Sequence, residues 1–202
     1  DEVVASCRKA LGIKADYAEA HNNLGWAFQE LGWLNEAVAL AHLDDDLSPT
    51  KALDSAHRVF MQEQNLVWLA ATDLYRATFD WRSGNLSSAR ERALHTREAF
   101  RQAVREGGLR SRVAQCEVLL GKTALREGHI ELASAHFSQG LFELEGADLP
   151  AITYECLYGL ARTEQRRGRT AAAFRYYRRA IADVERLQAA VGAEDYKIAF
   201  LS

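Results

Sequence analysis

At four turns between apolar helical stretches of this 202-residue chain, the same spacing recurs, a glycine and then an alanine five residues later: Gly32–Ala37, Gly84–Ala89, Gly128–Ala133 and Gly168–Ala173. A glycine just past a helix end takes the left-handed conformation that caps the last carbonyls. An alanine one turn into the next helix lets the two backbones approach closely. The recurring element is therefore a helix–turn–helix pair. One such pair cannot bury its own apolar face, so pairs of this kind stack. The turn glycines are 52, 44 and 40 residues apart, which leaves room for helices an extra turn or so long and for one additional helix between Gly32 and Gly84.

The fullest unit is AEAHNNLGWAFQELGWLNEAVALAHLDDDLSP, Ala18 to Pro49. With Ala18 as position 1, Leu24 and Gly25 fall on 7 and 8, Phe28 on 11, Ala37 on 20 and Pro49 on 32. This rhythm resembles the tetratricopeptide repeat, whose pattern is Trp-x2-Leu-Gly-x2-Tyr, then Ala-x3-Phe, then a closing Pro. His21 stands in place of the Trp, Ala41 of the Phe, and Asp44 of a small residue near the end of the second helix. Gly25 is about 1 kcal/mol worse than Ala inside a helix, and close approach of a neighbouring helix accounts for it. The resemblance implies an all-α fold, a right-handed superhelix (α-solenoid) of antiparallel helix pairs.

In this register residues 1–202 form a single array. Residues 1–15 are a partial repeat, because Val3, Cys7 and Ala10 match a second helix and Ala15 stands where the closing Pro belongs. Residues 18–49 are a repeat and 50–66 an irregular helical segment. Longer repeats cover 67–106, 110–146 and 150–191, and 192–202 starts a further, truncated element. Leu53, Ala56, Val59 and Phe60 make one helical stripe and Leu66, Leu69, Ala70, Leu74 and Ala77 a second, with a break near Glu63–Asn65. Leu120–Gly121 and Leu160–Ala161 recover positions 7 and 8. In the last second helix Phe174, Tyr177, Ile181, Val184, Leu187 and Val191 recur at three- and four-residue steps, which predicts the buried stripe.

Composition agrees with a packed helical chain: 48% hydrophobic, 26% charged and only 2 prolines. No apolar run approaches a membrane span and no leader opens the chain. Three cysteines without paired spacing point to a reducing compartment, the cytoplasm. The net charge of -3 hides an asymmetry. Residues 1–80 carry 6 Lys and Arg against 13 Asp and Glu, whereas residues 81–202 carry 19 against 15. Such a field orients a charged partner.

Catalytic and cofactor chemistry finds little to build on. Cys116 and Cys156 share position 3 of their first helices, a slot where recurrence reflects packing, and a thiol nucleophile would need an adjacent base. The six histidines show no His-Glu-x-x-His or Cys/His metal spacing. Asp44–Asp46 lack the glycine and distal glutamate of a calcium loop and read as a solvated loop or cap. There is no phosphate-binding glycine loop. No cofactor, metal or catalytic residue is assigned, and the chain reads as non-enzymatic.

By the same resemblance, positions 2, 5, 9, 12 and 13 of each first helix line the concave face. The partner-binding candidates are Asn22, Trp26 and Gln29 in the first full repeat, then Trp81, Lys122, Arg126, Tyr158, Arg162 and Arg166. The same register places Ala71, Leu74 and Val118 there too. Arginine forks and rigid aromatics are what anchor a peptide, especially an acidic one. The Lys/Asn carboxylate clamp of chaperone-binding repeats is not reproduced.

The function read from this is a non-catalytic scaffold that holds a peptide or partner domain in its groove. Two alternatives stand beside it. The ending AIADVERLQAAVGAEDYKIAFLS after long repeats is similar to the repeat region preceding a caspase-like CHAT protease domain, which implies a regulatory or sensor role beside a catalytic domain that these residues do not contain. The segment RTEQRRGRTAAAFRYYRRA, with seven Arg beside Tyr176 and Tyr177, suits a nucleic-acid-binding solenoid. An overall pI of 6.1 argues against that use, and no membrane partner is expected.

Overall fold

The computed structural model describes residues 49–62, 64–104 and 109–200, with side chains from 53 to 187 apart from 55, 56, 59, 63 and 103–108. The expected repeats over 1–15 and 18–49 lie outside the described residues, as do Asn22, Trp26, Gln29 and the turn at Gly32. Among the described residues there are seven helices and no strand: α1 Pro49–Gln62, α2 Leu66–Arg82, α3 Leu86–Val104, α4 Arg110–Arg126, α5 Ile130–Glu143, α6 Pro150–Arg166 and α7 Thr170–Phe200. Both prolines open a helix, where the missing N–H costs nothing. The chain divides into two compact units, one ending at Asp80 and one beginning at Trp81.

The turns carry the chemistry that the glycine spacing requires. Gly84, Gly128 and Gly168 have φ of +87°, +85° and +75°. At Gly128, the amide of His129 donates to the Ala124 carbonyl (2.8 Å) and that of Gly128 to Leu125 (3.3 Å). At Gly168, Arg169 donates to Glu164 (2.9 Å) and Gly168 to Gln165 (3.0 Å). This crossed pair of bonds satisfies carbonyls that the helix end leaves open. The break near Glu63–Asn65 follows the same pattern without a glycine. Gln64 sits at φ +54°, while Asn65 donates to the Phe60 carbonyl (3.0 Å) and Gln64 to that of Met61 (3.3 Å).

In the first unit α1 and α2 run antiparallel, as three successive contacts show. Asp54 pairs with Arg76, His57 Nε2 lies 3.7 Å from Asp73, and the Phe60 and Trp68 rings stack at 5.9 Å. Asn65 starts α2 by accepting the Trp68 amide on its side-chain oxygen (3.3 Å). Leu66 was expected on the buried stripe but is 71% exposed, because it is the first residue of the helix and falls before the covered turns. Leu53, Ala70, Leu74 and Ala77 are buried as expected.

In the second unit neighbouring helices pack as pairs. Helix α4 contacts α3, α5 and α6, and α6 contacts α5 and α7. The wedge that fixes this arrangement is Phe137, 1% exposed on α5. A Cβ at Gly121 on α4 would meet the Phe137 ring at 2.7 Å, and one at Gly159 on α6 would meet it at 2.4 Å. Ala124, Ala133 and Leu160 complete this cluster.

A second tie is polar. The Glu117 carboxylate is buried and accepts from Arg97 (3.2 Å) and Arg101 (3.1 Å) on α3, with His136 Nδ1 of α5 at 2.7 Å. The thiols of Cys116 and Cys156 are buried and free.

The stripe expected on α7 is rotated. Phe174 and Ile181 are 66% and 56% exposed, whereas Ala173 and Ala180 are buried. Tyr177, Val184 and Leu187 are half-buried, and Val191 lies outside the described side chains. On this helix the covered positions include small residues, and two of the larger apolar ones stay exposed. Helix α7 continues through Gly192 to Phe200.

Two outcomes test this packing. Propensity alone makes Gly159→Ala stabilising by about 1 kcal/mol, but the clash with Phe137 reverses the sign and costs about 1–3 kcal/mol by urea unfolding. Pairing it with Phe137→Leu gives a loss smaller than the sum of the single losses, by at least about 0.5 kcal/mol. Gln64→Gly relieves a left-handed non-glycine and raises stability by about 0.5–1 kcal/mol in the same assay.

Candidate interaction face

The second unit gathers six of the sequence candidates, Trp81, Lys122, Arg126, Tyr158, Arg162 and Arg166, on the ends and faces of α2, α4 and α6. Residues 122 and 126 are one turn apart on α4, as are 158, 162 and 166 on α6, so each helix presents a row.

Trp81 is the centre of the first cluster. Lys122 Nζ and Arg126 Cζ lie 5.8 and 5.7 Å from the centre of its ring. Arg126 also donates to the Trp81 carbonyl at 2.7 Å, capping the end of α2. Lys122 reaches across to α6 and donates to Glu155 at 2.8 Å.

Tyr158, 40% exposed, is the centre of the second cluster. Arg162 stacks over it at 5.9 Å and donates to its hydroxyl at 3.2 Å. Tyr154 lies 6.0 Å away and Tyr177 of α7 meets it edge-on at 5.8 Å. The Tyr177 hydroxyl in turn donates to Gln165 at 3.0 Å. Burial pushes the Tyr154 and Tyr177 phenols above their ordinary range, so both remain neutral donors at physiological pH. Arg166 is exposed and makes no ion pair among the described residues.

The face is thus two aromatic centres, each with its cations parked on the ring, joined by the Lys122–Glu155 pair. Cations held this way are ordered before a ligand arrives, which lowers the entropic cost of engaging one. The register also placed Ala71, Leu74 and Val118 here, but all three are buried. Glu155, at position 2 of its first helix, lies on the face as the register placed it, while Tyr154 and Tyr177 also join the face and were not among the groove positions. The signal for Tyr154 was its four-residue spacing from Tyr158; Tyr177 comes from another helix and had none.

The cysteines do not resemble nucleophiles. Burial is the main cause that raises Cys116, and burial also pushes the Cys156 thiol up to about 12. A Cβ on Gly140 would meet the Cys156 sulfur at 2.8 Å, so that thiol fills space left by a glycine. Among the described residues no group of three or more His, Cys, Asp or Glu is placed to hold a metal ion, and no helix is long and apolar enough to cross a membrane. Comparison with known proteins gives no match to a family model and none to a curated protein.

With its thiol near 12, Cys156 is almost wholly protonated at pH 8. Iodoacetamide at that pH labels Cys116 and Cys156 at least 100-fold more slowly in the folded chain than in urea, as followed by mass spectrometry. Equal rates would place at least one thiol in an activated, accessible setting.

Proposed function

We propose that this chain is a non-catalytic protein-interaction scaffold of tetratricopeptide type, with its helix pairs continuing as a right-handed superhelix. In this reading the face built on Trp81 and Tyr158 receives an extended peptide or a loop of a partner domain. The observation that carries it is the placement of Lys122 and Arg126 on Trp81 and of Arg162 on Tyr158. Aromatic and guanidinium groups ordered together are the composition of binding hot spots.

The partner chemistry follows from what the face leaves open. Lys122 is partly answered by Glu155, whereas Arg126, Arg162 and Arg166 have no carboxylate partner among the described residues. An acidic side chain beside an apolar or aromatic one matches that arrangement: the carboxylate takes a guanidinium fork and the ring lies on Tyr158. A nucleic-acid track fits less well. Of the seven arginines in the basic segment, Arg167 is committed to Glu131 and Glu164 and Arg162 to Tyr158. Tyr177 meets Tyr158 edge-on, which takes it away from base stacking.

Peptide display against the whole chain should enrich Asp or Glu near Phe, Tyr or Trp. Trp81→Ala and Tyr158→Ala each weaken the selected peptide at least tenfold, about 1.4 kcal/mol. Arg126→Gln and Arg162→Gln each weaken it about three- to tenfold, with helicity unchanged. Peptides that bind all four variants as tightly as the parent would place the partner site elsewhere.

A further inference from the structure

On another face of the second unit, residues of α6, α7 and the turn between them line an open surface cleft of about 510 Å³: Glu164, Arg169, Ala172, Arg175, Tyr176 and Arg179. The α7 residues recur at i, i+3, i+4 and i+7, which aligns two guanidiniums along one side of the helix. Tyr176 packs against the core cluster around Phe137 and forms part of the apolar wall. Glu164 is nearly buried, and its charge is already answered: Arg167 pairs with one oxygen and Arg169 lies 3.6 Å from the other. Arg175 and Arg179 are exposed and pair with no acid among the described residues. The lining therefore holds three cations and one neutralised acid.

We propose that this cleft binds a phosphomonoester. The excess of two positive charges matches a dianion rather than a single carboxylate, and planar guanidiniums offer the paired donors that phosphoryl oxygens accept. The volume exceeds what a bare phosphate fills, so the cleft also receives part of the group that carries it, against Ala172 and Tyr176. The cations are confined to one cleft on a chain whose overall pI is 6.1, which favours a point anion over a polymer that must be tracked along its length. Phosphoryl groups of this kind come from a phosphorylated polypeptide or from a free small molecule, and the cleft recognises the chemistry they share. This site is independent of the Trp81–Tyr158 face and stands or falls separately from it.

The test is calorimetric titration of the whole chain at 150 mM salt with four probes: inorganic phosphate, N-acetyl-phosphoserine amide, glycerol 3-phosphate and acetate. The expected result is saturable binding of at least one phosphomonoester, ten times or more tighter than acetate. Preference for the phosphoserine amide identifies a polypeptide source, and preference for glycerol phosphate a small-molecule one; either supports the site. Arg175→Gln and Arg179→Gln each lower the affinity at least fivefold, with the circular dichroism unchanged. Arg178→Gln removes the same charge from α7 outside the cleft lining and leaves affinity within twofold.

Three results would overturn the proposal. One is equal binding of acetate and phosphomonoesters. A second is an equal loss in Arg178→Gln and Arg175→Gln, which would mean a diffuse basic surface. The third is a short single-stranded DNA that binds more tightly than any phosphomonoester and is weakened equally by all three variants.

Discussion

A single aromatic ring placed where two glycines leave no side chain sets the spacing of three helices. Phe137 projects from α5 into the gap between Gly121 on α4 and Gly159 on α6, and no other residue type at either glycine fits without moving the ring. Two first helices can then lie side by side with a second helix wedged behind them. The rows of side chains on α4 and α6 are thereby held in register. Lys122 reaches Glu155 on the next first helix only because of that spacing. The candidate interaction face is in this sense a consequence of core packing.

The buried carboxylate of Glu117 works alongside the wedge. It draws in Arg97 and Arg101 from α3 and His136 from α5, so one side chain of α4 ties the helix before it to the helix after it. Burying charge is costly, and such a network need not add net stability over an apolar alternative. Its contribution is directional: only one rotation of α3 about its axis brings both guanidiniums to the same oxygen. Removing the carboxylate would release the tie between α3 and α5, while Arg97 and Arg101, both partly exposed, turn to solvent.

Much of the fold is legible in the sequence because its signals are local. A glycine at positive φ and an alanine five residues later are chemistry that neighbouring residues decide, and the turns at Gly84, Gly128 and Gly168 occur where the spacing places them. The turn at Gln64 shows the limit: the stripes reveal a break, but no residue type announces a left-handed backbone there. Rotational phase is harder still. Phe174 and Ile181 look like core because they are large and apolar, yet Ala173 and Ala180 are covered instead. Ala71 and Val118, placed on the groove by register, are buried as well, and so is Leu74, which the same sequence put on both the groove and the buried stripe. Of the candidate face, the arginines and aromatics could be named from register. The Lys122–Glu155 pair and the Tyr158–Tyr177 contact join residues far apart in the chain, and only packing brings them together.

If, as proposed, the face around Trp81 and Tyr158 receives an acidic, aromatic-bearing peptide, the Trp81 ring must sense that peptide. Fluorine NMR of the chain labelled with 5-fluorotryptophan, with Trp81→Phe to assign its resonance, reports on this directly when a display-selected peptide is titrated in. The Trp81 resonance should move saturably while that of Trp68, stacked on Phe60 in the first unit, stays fixed. A saturating peptide that leaves Trp81 unmoved, or that shifts Trp68 alone, would place peptide binding away from this face.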